Sequence, residues 1–313
     1  MLTDPVITII MATYNRAHLI AQTLDSIQNQ SFEEWECLII DDGSTDQTHE
    51  ILTPYLEKEN RFKYYKRLPE YGKGLPGCRN YGLDIASGKY IIFFDDDDIV
   101  HPENLKLSLY ELEKSDVSYC RFLRETFTGE FLIEFDPSRN YTTNSLDISD
   151  LPDIITGIIP FNSCQILWEK ECFKNNRFNE SLMYAEEWDC FSRILITGVK
   201  GINIQKVLFY GRKHPESNTG EFWKKDELRR ESNIRAVKIV FNNLFHSGNL
   251  STSLTRYFLQ LGIFLENESI IKLVLNTIKA KKIEIWKYNI LFKFYPYIVW
   301  IHRLRKKLTT TQS

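Results

Sequence analysis

Four consecutive aspartates, Asp95-Asp96-Asp97-Asp98, follow directly on the apolar run Ile91-Ile92-Phe93-Phe94. A second acidic pair, Asp41-Asp42, follows Cys37–Ile40 and opens the run Gly43-Ser44-Thr45-Asp46. Any one such pair reads as a solvated turn or a helix N-cap, and Asp46 is ordinary turn chemistry. Four adjacent carboxylates are different. Their mutual repulsion is costly unless a cation neutralises it, and hard divalent cations prefer carboxylate and phosphate oxygens. The pattern predicts a metal or nucleotide site. Further on, Glu186-Glu187 precede Trp188–Ile196. Carboxylates there can open a helix as an acidic first turn or serve as a general base.

These residues need a frame that brings them together. Val6–Met11 is an apolar run of strand length, as expected for a strand buried on both faces. Cys37–Ile40, Phe62–Tyr65 and Tyr90–Phe94 read as further strands, with helical spacing over Leu19–Ile27 and Gly77–Ala86 between them. Alternating strands and helices imply an α/β fold, Rossmann-like, with a mostly parallel central sheet flanked by helices. In such sheets ligands bind beyond the carboxyl ends of the strands, so six carboxylates from two strand ends face one rim. Beyond residue 100, His101-Pro-Glu-Asn-Leu starts a helix with Pro102 near its first position. Val117–Leu123, Glu130–Phe135 and Ser163–Trp168 are strand-like, whereas Asp136–Ile159 is loop-rich. Glu221–Phe245, Leu254–Leu265, Ile270–Ile278 and much of Lys282–Lys307 are helical.

The rim sequences together resemble the family-two inverting glycosyltransferases with the GT-A fold. The resemblance rests on Val6-Ile-Thr-Ile-Ile-Met-Ala-Thr-Tyr-Asn-Arg and then Ile40-Asp-Asp-Gly-Ser-Thr-Asp. It continues through Gly77-Cys-Arg-Asn-Tyr-Gly-Leu-Asp-Ile-Ala-Ser-Gly-Lys-Tyr-Ile-Ile-Phe-Phe-Asp-Asp-Asp-Asp, where the family has an Ala-Arg-Asn helix and an Asp-x-Asp-Asp motif. Arg177-Phe-Asn-Glu-Ser-Leu-Met-Tyr-Ala-Glu-Glu-Trp-Asp is similar to the family's acidic motif that supplies the base. The matches keep their order over residues 6–217, which is more specific than any single motif.

The resemblance implies transfer of a sugar from a nucleotide-diphosphate donor, a UDP-sugar above all, to an acceptor hydroxyl with inversion, in polysaccharide or surface glycan synthesis. It also implies roles. Thr13, Tyr14, Arg16, Asp42, Arg79, Asp95 and Asp96 would bind the nucleotide-sugar: Tyr14 stacking on the base, Asp42 accepting from a uracil-type N–H, Arg79 holding the nucleotide and Asp95 meeting the ribose. Asp97 would bind Mn2+ or Mg2+ with the diphosphate, and His214, in the loop Tyr210-Gly-Arg-Lys-His-Pro-Glu-Ser, would approach the metal. Glu187 would be the catalytic base, with Glu186 its rival. The family more often has Asp there, so Glu187 is a departure that shifts the base by about one carbon–carbon bond, which matters where reacting atoms must lie ~3–3.5 Å apart. Residues 1–218 would form the catalytic domain, with a nucleotide-sugar half (1–100) and an acceptor half (101–218), and 219–313 a helical extension. The acceptor would be a glycan or a lipid-linked glycan.

Two other readings stay in view. Gly72-Lys-Gly-Leu-Pro-Gly is a literal G-x-G-x-x-G, the mark of a dinucleotide-dependent oxidoreductase. Its setting is wrong: it follows Leu68-Pro-Glu-Tyr instead of a strand end, and Pro76 disrupts the turn. A mobile loop covering the donor is the better use of these glycines. A non-catalytic nucleotide-sugar-binding protein is the other alternative, with Glu187 in place of Asp its only support.

The net charge of −3 hides an asymmetry. From Lys279 onward there are nine Lys or Arg against the single acid Glu284, so this stretch is +8 and the remainder of the chain −11. An acidic main body excludes general nucleic-acid binding. The basic residues alternate with aromatics such as Trp286, Tyr288, Tyr295, Tyr297 and Trp300, a composition that suits either the surface of an anionic membrane or a basic helix packed on its own domain. The six cysteines are scattered with no C-x-x-C pair, which predicts reduced thiols in a cytoplasm. No basic leader or cleavage site opens the chain, and no apolar run approaches the ~20 residues of a spanning helix. The expectation is a cytoplasmic protein, at most peripheral at the inner face of a membrane.

Overall fold

A computed structural model of the chain describes residues 4–138, 140–214, 220, 222, 224 and 226–294. The chain divides into two compact units, Met1–Ser232 and Asn233–Ser313. In the first, strands and helices alternate as β1 (Ile7–Thr13), α1 (Ile20–Gln28), β2 (Trp35–Asp41), α2 (Thr48–Lys58), β3 (Phe62–Lys66), α3 (Leu75–Ile85) and β4 (Tyr90–Asp95). There follow β5 (Ile99–Val100), α4 (Asn104–Lys114), β6 (Tyr119–Phe127), β7 (Thr143–Leu146), α5 (Leu151–Thr156), β8 (Ile166–Glu169), α6 (Glu186–Leu195) and β9 (Gly201–Arg212). One nine-stranded sheet runs β3-β2-β1-β4-β8-β6-β9-β5, with β7 added on β9.

The first four strands pair in parallel, because each is separated from the next by a crossover helix. β1 lies between β2 and β4 and is apolar on both faces. Ile7, Ile9 and Met11 join Ile20, Leu24 and Ile27 of α1 in the core. On the other face α3 lies so close that a Cβ on Gly82 would come within 2.5 Å of Ile10 Cγ2, an approach that only glycine permits. The register sets Thr13 beside Asp41 and Ala12 beside Asp95. Three strand ends therefore finish level, and whatever follows each of them shares one rim.

The second half of the sheet is mixed. β8 runs antiparallel to both β4 and β6, and β9 takes β6 in parallel but β5 and β7 antiparallel. Here the sequence reading needs correction. Glu130–Phe135, expected as a strand, has no ladder partner. Its alternation is real, but it is satisfied by packing: Phe131, Ile133 and Phe135 cover Ile99, Phe127 and Tyr210, while Leu132 is 83% exposed. The loop-rich stretch from Asp136 holds β7 and α5. The helix expected at Pro102 begins two residues later at Asn104, and α2, which carries Pro54 inside it, was not foreseen.

Helix α7 (Glu227–His246) starts in the first unit and continues into the second. The second unit adds α8 (Thr252–Phe264), α9 (Glu268–Thr277) and α10, which spans 282–294. Ser251 and Asn267 cap α8 and α9 by accepting from Leu254 N and Ile270 N. Among the described residues no helix is long and apolar enough to cross a membrane. The rest of the basic tail, 295–313, lies outside the described residues.

Candidate active site

The loops after β1 and β2 are tied into one surface. Asn15 adopts a left-handed backbone (φ 53°), which asparagine tolerates. Its side-chain oxygen accepts from Thr45 N (2.8 Å) and Asp46 N (3.3 Å), and its own N–H donates to Ser44 Oγ (2.9 Å). Asp41 turns inward and accepts from Ser44 N, Ser44 Oγ and Tyr64 OH. Asp42 is engaged by Arg67 Nε at 2.5 Å and Gly74 N at 3.0 Å. Arg67 carries no motif of its own and escaped the sequence reading. Thr13 is buried at the end of β1, and Tyr14 stands 46% exposed with Lys73 Nζ 5.5 Å from its ring centre.

The glycine loop is held by carboxylates on both sides. Gly74, at φ 109°, donates to Asp42, and Gly72 N donates to Glu180 Oε2 at 2.5 Å. Glu180 also accepts from Asn80 Nδ2 at 2.8 Å, on α3. The loop leads into a helix that packs on β1 and β2, but it follows β3 and no phosphate-binding turn after β1.

The four aspartates after β4 point in different directions. Asp95 reaches Arg79 (3.5 Å) and keeps 39% of its side chain exposed. Asp96 is buried against Arg16 Nε at 3.2 Å. Asp97 Oδ2 lies 2.8 Å from His214 Nε2. Asp98, buried, accepts from Arg212 N at 2.7 Å and lies 3.8 Å from Arg124. Burial, with Asp97 beside it and Arg16 opposing, pushes the Asp96 carboxyl up to about 7. Burial and the charges of Asp95 and Asp97 push Asp98 well above the usual carboxylate range. Crowding and burial thus favour proton uptake by Asp96 and Asp98 over a full set of four negative charges.

The donor set at Asp97 fits a divalent cation. Asp97 and His214 converge with one carboxylate oxygen and one imidazole nitrogen, a donor pair that suits Mn2+ and tolerates Mg2+. Ligand atoms of Asp95, Asp98 and Cys164 also lie within 4.8 Å of one another. That set is the poorer one: burial and both aspartates hold the Cys164 thiol protonated, and Asp98 is already occupied by Arg212.

Across from the aspartates, α6 begins at two glutamates that behave differently. Ala185, left-handed at φ 64°, sets the entry. Glu186 turns inward, 3% exposed, and accepts from Arg79 Nη1 at 3.1 Å. Arg79 is buried too. It donates to Ser163 Oγ at 2.9 Å and lies about the faces of Phe93 and Phe178, whose ring centres are 5.5 and 5.2 Å away. Burial would lower the Arg79 value, yet Glu186, Asp95 and Glu187 together hold it above the ordinary one. Burial, against Arg79 but helped by Glu187, lifts Glu186 to about 7. Glu187 is held without a cation, by Ser163 N at 2.9 Å and Asn162 Nδ2 at 3.4 Å. One arginine therefore joins the aspartate side to the glutamate side, and only Glu187 of the pair is left for chemistry outside the protein core.

The sequence pattern of glycosyl transferase family 2 matches residues 8–164, half of the chain. The chain belongs to this family. It is 34% identical over 144 residues to the Escherichia coli UDP-Glc:alpha-D-GlcNAc-diphosphoundecaprenol beta-1,3-glucosyltransferase WfgD, covering 46% of this chain and 55% of that one. Its fold is that of GT-A glycosyltransferases. The crystal structure of S. aureus TarS 1–349 in complex with UDP-GlcNAc superposes with a TM-score of 0.61 at 19% identity, over 93% of this chain and 91% of that one. The mannosyltransferase PcManGT from Pyrobaculum calidifontis, in complex with GDP-Man and Mn2+, gives 0.57 at 16% identity, over 95% and 83%. The chain spans between about a third and two thirds of the length of the first curated relatives it matches, uncharacterised glycosyltransferases of Rickettsia species.

Proposed function

We propose that this family-2 chain transfers a glycosyl group from a UDP-sugar to a hydroxyl of a glycan or lipid-linked glycan, with inversion. The observation that carries the reading is the bridge that buried Arg79 makes from Asp95, the first of the four aspartates, to Glu186, which stands beside Glu187 at the start of α6. Family membership supports it, as does WfgD, whose donor is UDP-Glc and whose acceptor is a diphosphoundecaprenol-linked sugar. We read residues 1–218 as the catalytic part, the first hundred binding donor and the remainder shaping the acceptor side.

In this reading Tyr14, half-exposed, stacks on the uracil, and Asp42 accepts from the uracil N–H while Arg67 and Gly74 hold its carboxylate in place. Asp95 takes the ribose. Thr13, Arg16 and Asp96 form the floor, where Arg16 keeps Asp96 from swinging toward the diphosphate. Asp97 and His214 would hold Mn2+ or Mg2+. A cation bound there would offset the negative charge that grows on the departing nucleoside diphosphate.

Glu187 accepts the proton of the acceptor hydroxyl as that oxygen bonds to the anomeric carbon. The bond from that carbon to the diphosphate oxygen breaks on the opposite side, and its electron pair leaves with the nucleotide. Displacement in line inverts the centre. Ser163 N and Asn162 fix the Glu187 carboxylate before the acceptor arrives, which lowers the cost of orienting it. Glu186 cannot take this part while it is committed to Arg79.

The test is a panel of nucleotide sugars, each assayed for Mn2+-dependent thermal stabilisation and then for donor turnover. UDP-sugars should stabilise the chain by mass action and be turned over. Binding without turnover in the presence of lipid-linked and free glycan acceptors would make the chain a nucleotide-sugar-binding protein, and absence of binding would overturn the donor reading altogether.

A further inference from the structure

Helix α10 carries apolar residues on two faces, and among the described residues one of these faces is the more exposed. Its residues advance by about 100° per position. Ile285, Tyr288 and Phe292 fall on one side and are half-buried. Ile283 and Trp286 fall on another and stand 55% and 60% exposed, with half-buried Ile290 between them. Isolated exposed apolar residues are common, but a tryptophan and an isoleucine on adjacent turns of one stripe are a surface.

The charges beside that stripe say what the surface meets. Lys282 and Lys293 border it on one edge and Lys287 on the other, all three exposed. The only acid of the helix, Glu284, lies away from the stripe and accepts from Lys281 N at the start of the helix. The lysines continue a stretch that is +8 from Lys279 onward, while the remainder of the chain is −11. An apolar stripe with tryptophan, bordered on both edges by lysines, matches the boundary of an anionic bilayer. There the ring sits at headgroup level and the ammonium groups reach the lipid phosphates. A second copy of the chain fits less well, since a two-fold contact through this stripe would bring lysine edges together. Its described part, 282–294, is about 20 Å long, and the lysines on both edges of the stripe suit a helix lying in the interface plane.

We propose that α10 binds the surface of an anionic lipid bilayer through Ile283, Trp286 and Ile290, with Lys282, Lys287 and Lys293 on the headgroups. The contact goes beyond the proposed sugar transfer and does not depend on it. The test is sedimentation of the full chain with vesicles of phosphatidylcholine alone and of phosphatidylcholine with phosphatidylglycerol, at low and high salt. The chain should pellet with the anionic vesicles only, and less at high salt. Each lysine near such a surface is worth roughly five-fold in partitioning, so Lys282→Gln/Lys287→Gln/Lys293→Gln should lose roughly 100-fold. Ile283→Ser/Trp286→Ser should lose binding as well, with an unchanged melting temperature. Wild-type chain that stays in the supernatant, or lysine variants that pellet like wild type, overturns the proposal. So does concentration-dependent dimerisation that the Ile283→Ser/Trp286→Ser variant abolishes, which would give the stripe to a second copy. Loss of sugar transfer alone would bear on the proposed function and not on this contact.

Discussion

The aspartate rim and the glutamate side of the site are built by different means. The rim comes from β1, β2 and β4, three parallel strands that end level, so its residues meet because of register. The glutamate side comes from the start of α6, and its residues meet the rim through one arginine 107 positions away in sequence. The first kind of assembly is local and tolerates change in any one contact. The second depends on a single buried ion pair, so substitutions there should separate chemistry from stability more sharply.

The largest expected effect tests that separation. Glu187→Gln should lower kcat by about 10²–10⁴-fold, the scale of one general base, while donor binding and melting temperature stay near wild type. Glu186→Gln should do the reverse. It sets an amide in place of the carboxyl buried against Arg79 and should cost on the order of 1–3 kcal/mol of stability, seen in chemical denaturation, with a smaller effect on kcat. If Glu186→Gln is the variant that loses turnover without loss of stability, the assignment of the base is wrong by one residue.

Next in size is the rim itself. Asp97→Asn keeps the shape but removes the charge beside His214, and transfer should fall by about 10²–10³-fold. Thermal stabilisation by Mn2+ with donor should vanish in the same variant. Retained Mn2+ dependence would move the cation to Asp95, Asp98 and Cys164.

This division also explains what the sequence disclosed. β1, β2 and β4 were legible because strands buried on both faces are continuous apolar runs, and the aspartates stand directly after them. Tyr14, Asp42 and Asp97 stand just beyond those ends, whereas His214 lies beyond β9 and was suggested by the family resemblance of its loop. Residues 130–135 misled because alternation reports a packed face and not a ladder, and the face here is Tyr210 and Ile99. Arg67, Ser163, Asn162 and Glu180 were silent since each acts only through a partner far along the chain. Glu186 and Glu187 look alike in sequence. What parts them is which side of the first turn of α6 faces Arg79, and that is a tertiary fact.

The glycine loop gives a smaller effect. Glu180 accepts from Gly72 N with one oxygen and from Asn80 Nδ2 with the other, so Glu180→Gln keeps one bond as a neutral one and sets an amide NH2 against the other donor. The expected result is about a five-fold rise in the donor KM with kcat little changed. An equal fall in kcat would mean that the loop also orders the reacting groups.

The smallest effect compares two buried glutamates, Glu186 in the site and Glu36 at the opposite end of β2. Glu36 on β2 is 2% exposed. Burial would raise its value, but Lys63 at 2.7 Å, Thr8 and Ser87 N together hold it below the ordinary one. Glu186 goes the other way, lifted by burial to about 7 from an ordinary 4.5. Glu36 therefore contributes stability that is complete above its unfolded value and is lost as pH falls through the lower folded one. For Glu186 the fold binds a proton that the unfolded chain has already released, so stability declines as pH rises from 4.5 to about 7 and then levels. Denaturation from acid to neutral pH, comparing wild type with Glu36→Gln and Glu186→Gln, reads both slopes, each at most about 1.4 kcal/mol per pH unit for one proton. Removing Glu36 should flatten the acid limb alone. Asp96, also lifted to about 7, contributes a decline of the same sign, so removing Glu186 should make the decline between 4.5 and 7 shallower without abolishing it. If Glu186→Gln leaves the slope unchanged, Arg79 keeps Glu186 ionised throughout, and the buried pair is an ion pair at every pH at which the protein is folded.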